Sequence, residues 1–222
     1  EVLMQFNYNP KEKIWDLSLR FFHIILILLI IGSIISAKFN FLDIHELFGT
    51  SLLGLILFRI LWGLIGTHHS RFKNLNLSLS RAIKKFSRIK QGNDSFVTKT
   101  FLGSYSTIAF ILFLIILPIS GLFSSDDILY DGPLSYLTPK YTSYWVQIHN
   151  FSHYVLYFLI SLHILAILYY QIVKKHNLIK RMFGIYYKID KNINPTKIEN
   201  PLNGILLLLV FSVLPVIFLI SD

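Results

Sequence analysis

Eight histidines punctuate the chain, and five of them lie within or at the ends of long apolar runs: His23, His45, His149, His153 and His163. Ionisable side chains at membrane depth are costly, so each is a functional candidate by default. His149 and His163 are fourteen residues apart. That is close to four helical turns, so both imidazoles project from nearly one face, about 21 Å apart along the axis. His45 and Arg59 repeat the same fourteen-residue interval. Neutral imidazoles of this kind ligate haem iron or a transition metal. His68, His69 and His176 stand beside basic residues in polar loops and read as solvated or headgroup-level side chains.

The elements that must position these residues follow from hydropathy. The 222 residues are 54% hydrophobic, and five apolar runs reach roughly the 18 residues a membrane span requires. They cover 19–37, 44–66, 101–123, 144–173 and 203–220, each bounded by polar residues, Gly or Pro. The expected fold is an all-α integral membrane helix bundle, with a four-helix core and a fifth C-terminal transmembrane helix in one domain. The run after Arg20 is too long, and begins too late, for a cleaved signal peptide.

A net charge of +9 could suggest nucleic acid, but its placement argues for a membrane. Eighteen of the 21 Lys and Arg residues fall in the N-terminal segment and in loops 68–100 and 174–202. Only Lys38 and Lys140 occupy the opposite side, together with half of the acids (Asp43, Glu46, Asp126, Asp127, Asp131 and Asp222), and Arg59 sits inside a span. The positive-inside rule then puts the N-terminus in the cytoplasm and the C-terminus outside. The basic loops are expected to rest on anionic headgroups and not to bind nucleic acid. Cysteine is absent, which excludes disulfides, iron–sulfur ligation and covalent haem attachment.

With alternating spans, His163 falls at the depth of His23 on the cytoplasmic side, and His149 at the depth of His45 on the outer side. Two histidine pairs at two depths, each drawn from two helices, suit two bis-histidine haem b sites in a helix bundle. A lone membrane histidine is often only a helix–helix hydrogen bonder; four at matched depths on three helices are harder to read that way. A metal-transport path would want carboxylates beside the histidines, and the span interiors hold almost none. Arg59 and Arg20 lie at the inner depth and would pair with haem propionates, although Arg20 also reads as a snorkelling anchor. Gly49, one turn after His45, leaves room for a flat macrocycle. His153, one turn after His149, competes with it as an outer ligand; spacing and depth favour His149.

Several stretches together resemble the bacterial cytochrome b561 and nickel-hydrogenase b-type cytochrome superfamily. WDLSLRFFH carries Trp15, Asp16, Arg20 and His23; HELFG spans His45–Gly49; FRILWGLIG and HSRF follow in the second span and its loop. GLFSSDDILYDGPL resembles the loop after the third span, and HNFSHYVLYFLISLH the fourth-span pattern of two histidines. The likeness runs from about residue 14 to 185. It implies that His23 and His163 ligate an inner haem and that His45 and His149 ligate an outer one. It departs at Asn150, where members often have Glu.

The expected function is electron transfer through two haems b between membrane quinone and a periplasmic partner, in a bacterial inner membrane. The partner would be a soluble c-type cytochrome or a dehydrogenase or hydrogenase subunit. Asp126, Asp127 and Asp131 in the outer loop would suit a basic docking face. Two other readings compete: a haem-free metal or proton transporter, and a structural subunit of a respiratory complex. Trp15 is expected at the interface, and Asp16 is a candidate cap for the first helix.

Overall fold

The computed structural model describes residues 16–67, 70–75, 77, 101–126, 130–175, 178–182 and 201–220. Six α-helices are present among them: α1 (Leu17–Lys38), α2 (Leu42–Ile65), α3 (Phe101–Phe123), α4 (Thr142–Ile172), the short α5 (Leu178–Met182) and α6 (Pro201–Ile220). The first four are long and apolar enough to cross a membrane. The fifth expected span corresponds to α6. Trp15, His68, His69, His176 and Asp127 lie outside the described residues.

Lipid offers a backbone no hydrogen-bond partners, so helix ends and turns must satisfy themselves. At the start of α1, Asp16 is extended and its Oδ1 accepts the Leu19 backbone N–H at 2.7 Å. At the other end, a three-residue link returns the chain into α2. Asn40 there takes φ 56°, a left-handed conformation that Asn tolerates, while the Phe39, Asn40 and Phe41 amides donate back to Ile35, Ala37 and Ser36. At the end of α2, Arg71 Nε and Nη2 donate to the Gly66 and Ile65 carbonyls at 2.6 and 3.3 Å. Those are the last carbonyls of the helix, which have no partner within it.

Packing centres on α2. Half of its span is buried, against 6% of the span formed around α4. Leu52, Leu55, Ile56 and Phe58 of α2 are enclosed by Leu19 and Phe22 of α1, Leu114 of α3 and Leu208 of α6. Helix α2 packs against α1, α3 and α6, whereas α4 packs mainly on α3. Close approach of α6 depends on Gly204, where a Cβ would fall on Ser18 Oγ and within 2.7 Å of the Trp62 ring. Large apolar side chains such as Phe151, Phe158, Leu165 and Ile172 of α4 remain exposed, as expected for a face toward lipid chains.

The bundle has two chemically different ends. The basic end holds the start of α1, the end of α2 and Arg20, Arg59 and Arg71. The acidic end holds the start of α2, with Asp43 and Glu46, and the link between α3 and α4, with Asp126 and Asp131.

Candidate functional site

Two histidine pairs face each other across the space between α4 and the α1–α2 hairpin. At the basic end, His23 of α1 and His163 of α4 have ring centroids 6.5 Å apart, with planes at 61°. Phe110 of α3 meets the His163 ring edge-on at 5.6 Å. At the acidic end, His45 of α2 and His149 of α4 have centroids 6.1 Å apart, with planes at 83°. His153 stands apart from this pair, its ring against Tyr154 at 4.0 Å and Tyr157 at 5.3 Å.

The acidic-end rings are held by backbone carbonyls of neighbouring helices. His45 Nδ1 lies 2.9 Å from the Ser33 carbonyl of α1, and His149 Nδ1 lies 2.9 Å from the Leu117 carbonyl of α3. A carbonyl can only accept, so each Nδ1 carries the proton and each Nε2 keeps its lone pair for a ligand. Ser33 Oγ and Ser120 Oγ are second neighbours of these Nδ1 atoms, at 3.2 and 3.4 Å. Gly121 completes the setting: a Cβ there would lie 3.1 Å from His149 Cε1. Gly49 borders open space, since a Cβ built on it meets nothing within 4 Å.

The basic end is organised by one carboxylate and one guanidinium. Asp16 Oδ2 accepts from Trp62 Nε1 at 3.1 Å and Thr67 Oγ1 at 2.7 Å, which ties the start of α1 to the end of α2. Arg59 is only 6% exposed. Its Nη2 donates to the Ser70 carbonyl at 3.3 Å, its guanidinium lies over the Phe72 ring at 4.8 Å, and its Nη1 has no partner among the described residues. Ser70 in turn donates to the Thr67 and Trp62 carbonyls. Arg20 stands in the first turn of α1, half-buried, with its amide on the Asp16 carbonyl.

The link after α3 folds over the acidic end. Ser125 pairs with Asp131 through a short antiparallel bridge and donates to its carboxylate. The Tyr130 amide donates to Asp126 Oδ1 at 2.9 Å. Two of the loop acids thus brace the loop itself. Tyr130 Oη donates to Glu46 Oε2 at 3.1 Å. Burial, reinforced by the negative charges of Glu46 and Asp43, raises the Tyr130 phenol above its usual range, so it stays a donor.

The structure brings together His23 with His163 and His45 with His149, and leaves His153 outside both pairs. Ser33, Leu117, Ser120 and Tyr130 escape the sequence reading. Their contacts join residues on different elements, such as Ser33 and His45, twelve positions apart across a turn. Only Gly121 and Pro118 carry a signal in sequence, as a Pro–Gly break near the exit of an apolar run.

A family model described as prokaryotic cytochrome b561 matches residues 14–184, three-quarters of the chain. No curated protein and no solved structure matches it. The chain belongs to the prokaryotic cytochrome b561 family: it is a multi-pass membrane b-type cytochrome of electron transfer. Haem b is the cofactor the family implies, and a redox partner comes with it.

Proposed function

We propose, from that family membership, that the chain carries two haems b and passes electrons between membrane quinone and a partner on the outer face of a bacterial inner membrane. The observation that carries this reading is the separation within the two imidazole pairs. A metal-bound imidazole nitrogen lies about 2.0 Å from the ion and its ring centre about 1.1 Å further back, so two imidazoles that held one metal between them would have ring centres about 6.2 Å apart. The pairs here, at 6.1 and 6.5 Å, bracket that value.

The donor set fits the same group. Among the described residues, no three or more His, Cys, Asp or Glu side chains cluster to hold a metal ion. A porphyrin supplies four nitrogens itself and would ask the protein for only two imidazoles. His23 and His163 would hold the basic-end haem, and His45 and His149 the acidic-end one. Each Nδ1–H···O=C bond at the acidic end fixes the tautomer that presents Nε2. The open space before Gly49 gives clearance on the His45 side. Arg59, buried with Nη1 unsatisfied among the described residues, would bind a propionate as a charge-assisted partner, and Arg20 would do so from α1. When bound, the haems supply reversible one-electron storage; the chain supplies ligation, burial and charge.

In the membrane, the basic end faces the cytoplasm, following the distribution of Lys and Arg. The acidic end then faces outward, toward a c-type cytochrome or a dehydrogenase or hydrogenase subunit. With Asp126 and Asp131 engaged inside their loop, the surface carboxylate of Asp43 joins them in a docking face for a basic partner. The test is anaerobic addition of a short-chain quinol to the purified, oxidised protein. Reduced low-spin b-type bands are expected in both haems; a protein whose spectrum is unmoved by quinol contradicts the quinone-linked reading.

A further inference from the structure

The contacts that hold His149 point to residues with a function of their own. His149 rests in a notch of α3 made by three consecutive features of that helix. The Leu117 carbonyl accepts its Nδ1–H at 2.9 Å. Ser120, fully buried, sits 3.4 Å from the same nitrogen and donates its own hydroxyl to the same carbonyl at 2.8 Å. Gly121 offers the ring a surface with no side chain, where a Cβ would come within 3.1 Å of Cε1 and 3.3 Å of Nδ1. Real Cβ contacts are seldom so close, so even alanine must displace the ring or the helix.

We propose that Ser120 and Gly121 are positioning residues that set the orientation and basicity of His149, and through it the potential of the acidic-end haem alone. This rests on the reading that His45 and His149 ligate a haem. A hydrogen bond from Nδ1–H to a strong acceptor makes the imidazole a more basic ligand, and such second partners are worth 10–100-fold in metal affinity or activity. A more basic ligand favours the oxidised metal. The Ser120 hydroxyl, by donating to the Leu117 carbonyl, competes with His149 for that acceptor and moderates the effect. Removing the hydroxyl leaves the carbonyl to His149 and favours ferric haem. A side chain at position 121 acts differently, by pushing the ring off its line toward His45.

The experiment is a redox titration of detergent-purified wild type, Ser120→Ala, Ser120→Thr, Gly121→Ala and Gly121→Val, with haem quantified against protein in each. His163→Ala, lacking one ligand of the basic-end haem, identifies which signal belongs to which end. Ser120→Ala is expected to keep two haems and to shift the acidic-end equilibrium toward the oxidised form about threefold, near 28 mV at 59 mV per tenfold for one electron. Ser120→Thr, which restores the hydroxyl, should return it toward the wild-type value. Gly121→Ala should alter the low-spin EPR signal of that haem, and Gly121→Val should lower its occupancy. The basic-end haem should be unmoved throughout. An unchanged or raised acidic-end potential in Ser120→Ala, or an equal shift at both ends, overturns the inference. Should Gly121→Val fail to fold, Ser120→Ala still decides. Wild type with fewer than two haems would instead overturn the reading beneath it.

Discussion

The acidic-end and basic-end histidine pairs use the same residue type at nearly the same separation, yet their surroundings differ in kind. At the acidic end, neutral carbonyls of two neighbouring helices hold both Nδ1 atoms, and a glycine makes room for one ring. At the basic end, an aromatic ring lies against His163, and a polar network of Asp16, Trp62, Thr67, Ser70 and Arg59 joins the start of α1 to the end of α2. The first device fixes tautomer and orientation by hydrogen bonding. The second fixes the relative placement of α1 and α2 and leaves a buried cation beside the site. One bundle thereby gives two like histidine pairs two different environments, and two haems held there would have unequal potentials.

The sharpest way to break the comparison is to remove the ligands one end at a time. His45→Ala is expected to abolish the acidic-end haem and spare the other, and His23→Ala the reverse, read from haem content and redox titration. Next in size is Asp16→Ala, which leaves the buried Trp62 Nε1–H unpaired and removes the cap on α1. Leaving a buried donor unsatisfied costs about 1–3 kcal/mol, so a clear fall in thermal stability in detergent should accompany loss of the basic-end haem before the acidic-end one.

Arg59→Gln tests the buried cation. Loss of a positive charge beside a bound haem would disfavour its reduced state, and a roughly tenfold shift, about 59 mV downward, is expected at the basic end only. The smallest effect belongs to Tyr130→Phe, which removes one hydrogen bond to Glu46 worth about 1 kcal/mol. Its pH dependence has a definite sign. The folded-state phenol titrates above the unfolded one, so its contribution is complete below about pH 10, the unfolded value, and is lost as pH rises through the folded value. Wild type should therefore exceed Tyr130→Phe in thermal stability at neutral pH, with the gap closing under strongly alkaline conditions.

Much of this was legible in the sequence because it depends on periodicity. The apolar runs predict the helices to within a few residues, and α1 begins at Leu17, just after Asp16, as a capping carboxylate requires. The fourteen-residue interval between His149 and His163 predicts one face at two depths, and both rings do face partners on the α1–α2 hairpin. What sequence could not give is the set of contacts across helices. Nothing in the local pattern tells that Leu117 offers its carbonyl to a side chain on the next helix, or that Asp16 meets Trp62 and Thr67, 46 and 51 positions away. Nor does it reveal α6 seated on Ser18 and Trp62 through Gly204. Spacing and depth favour His149 over His153 in the sequence, but only the packing of α3 and α2 shows the carbonyl and the facing ring that His149 meets, while His153 lies against Tyr154 and Tyr157.

The central claim is that each facing pair binds one haem. Pyridine-haemochrome quantification against protein, on wild type, His149→Ala and His163→Ala purified from haem-replete cells, tests it most directly. The account predicts two haems b per chain in wild type and one in each variant, with different potentials remaining in the two. A wild type that binds a single haem, or none, would contradict it.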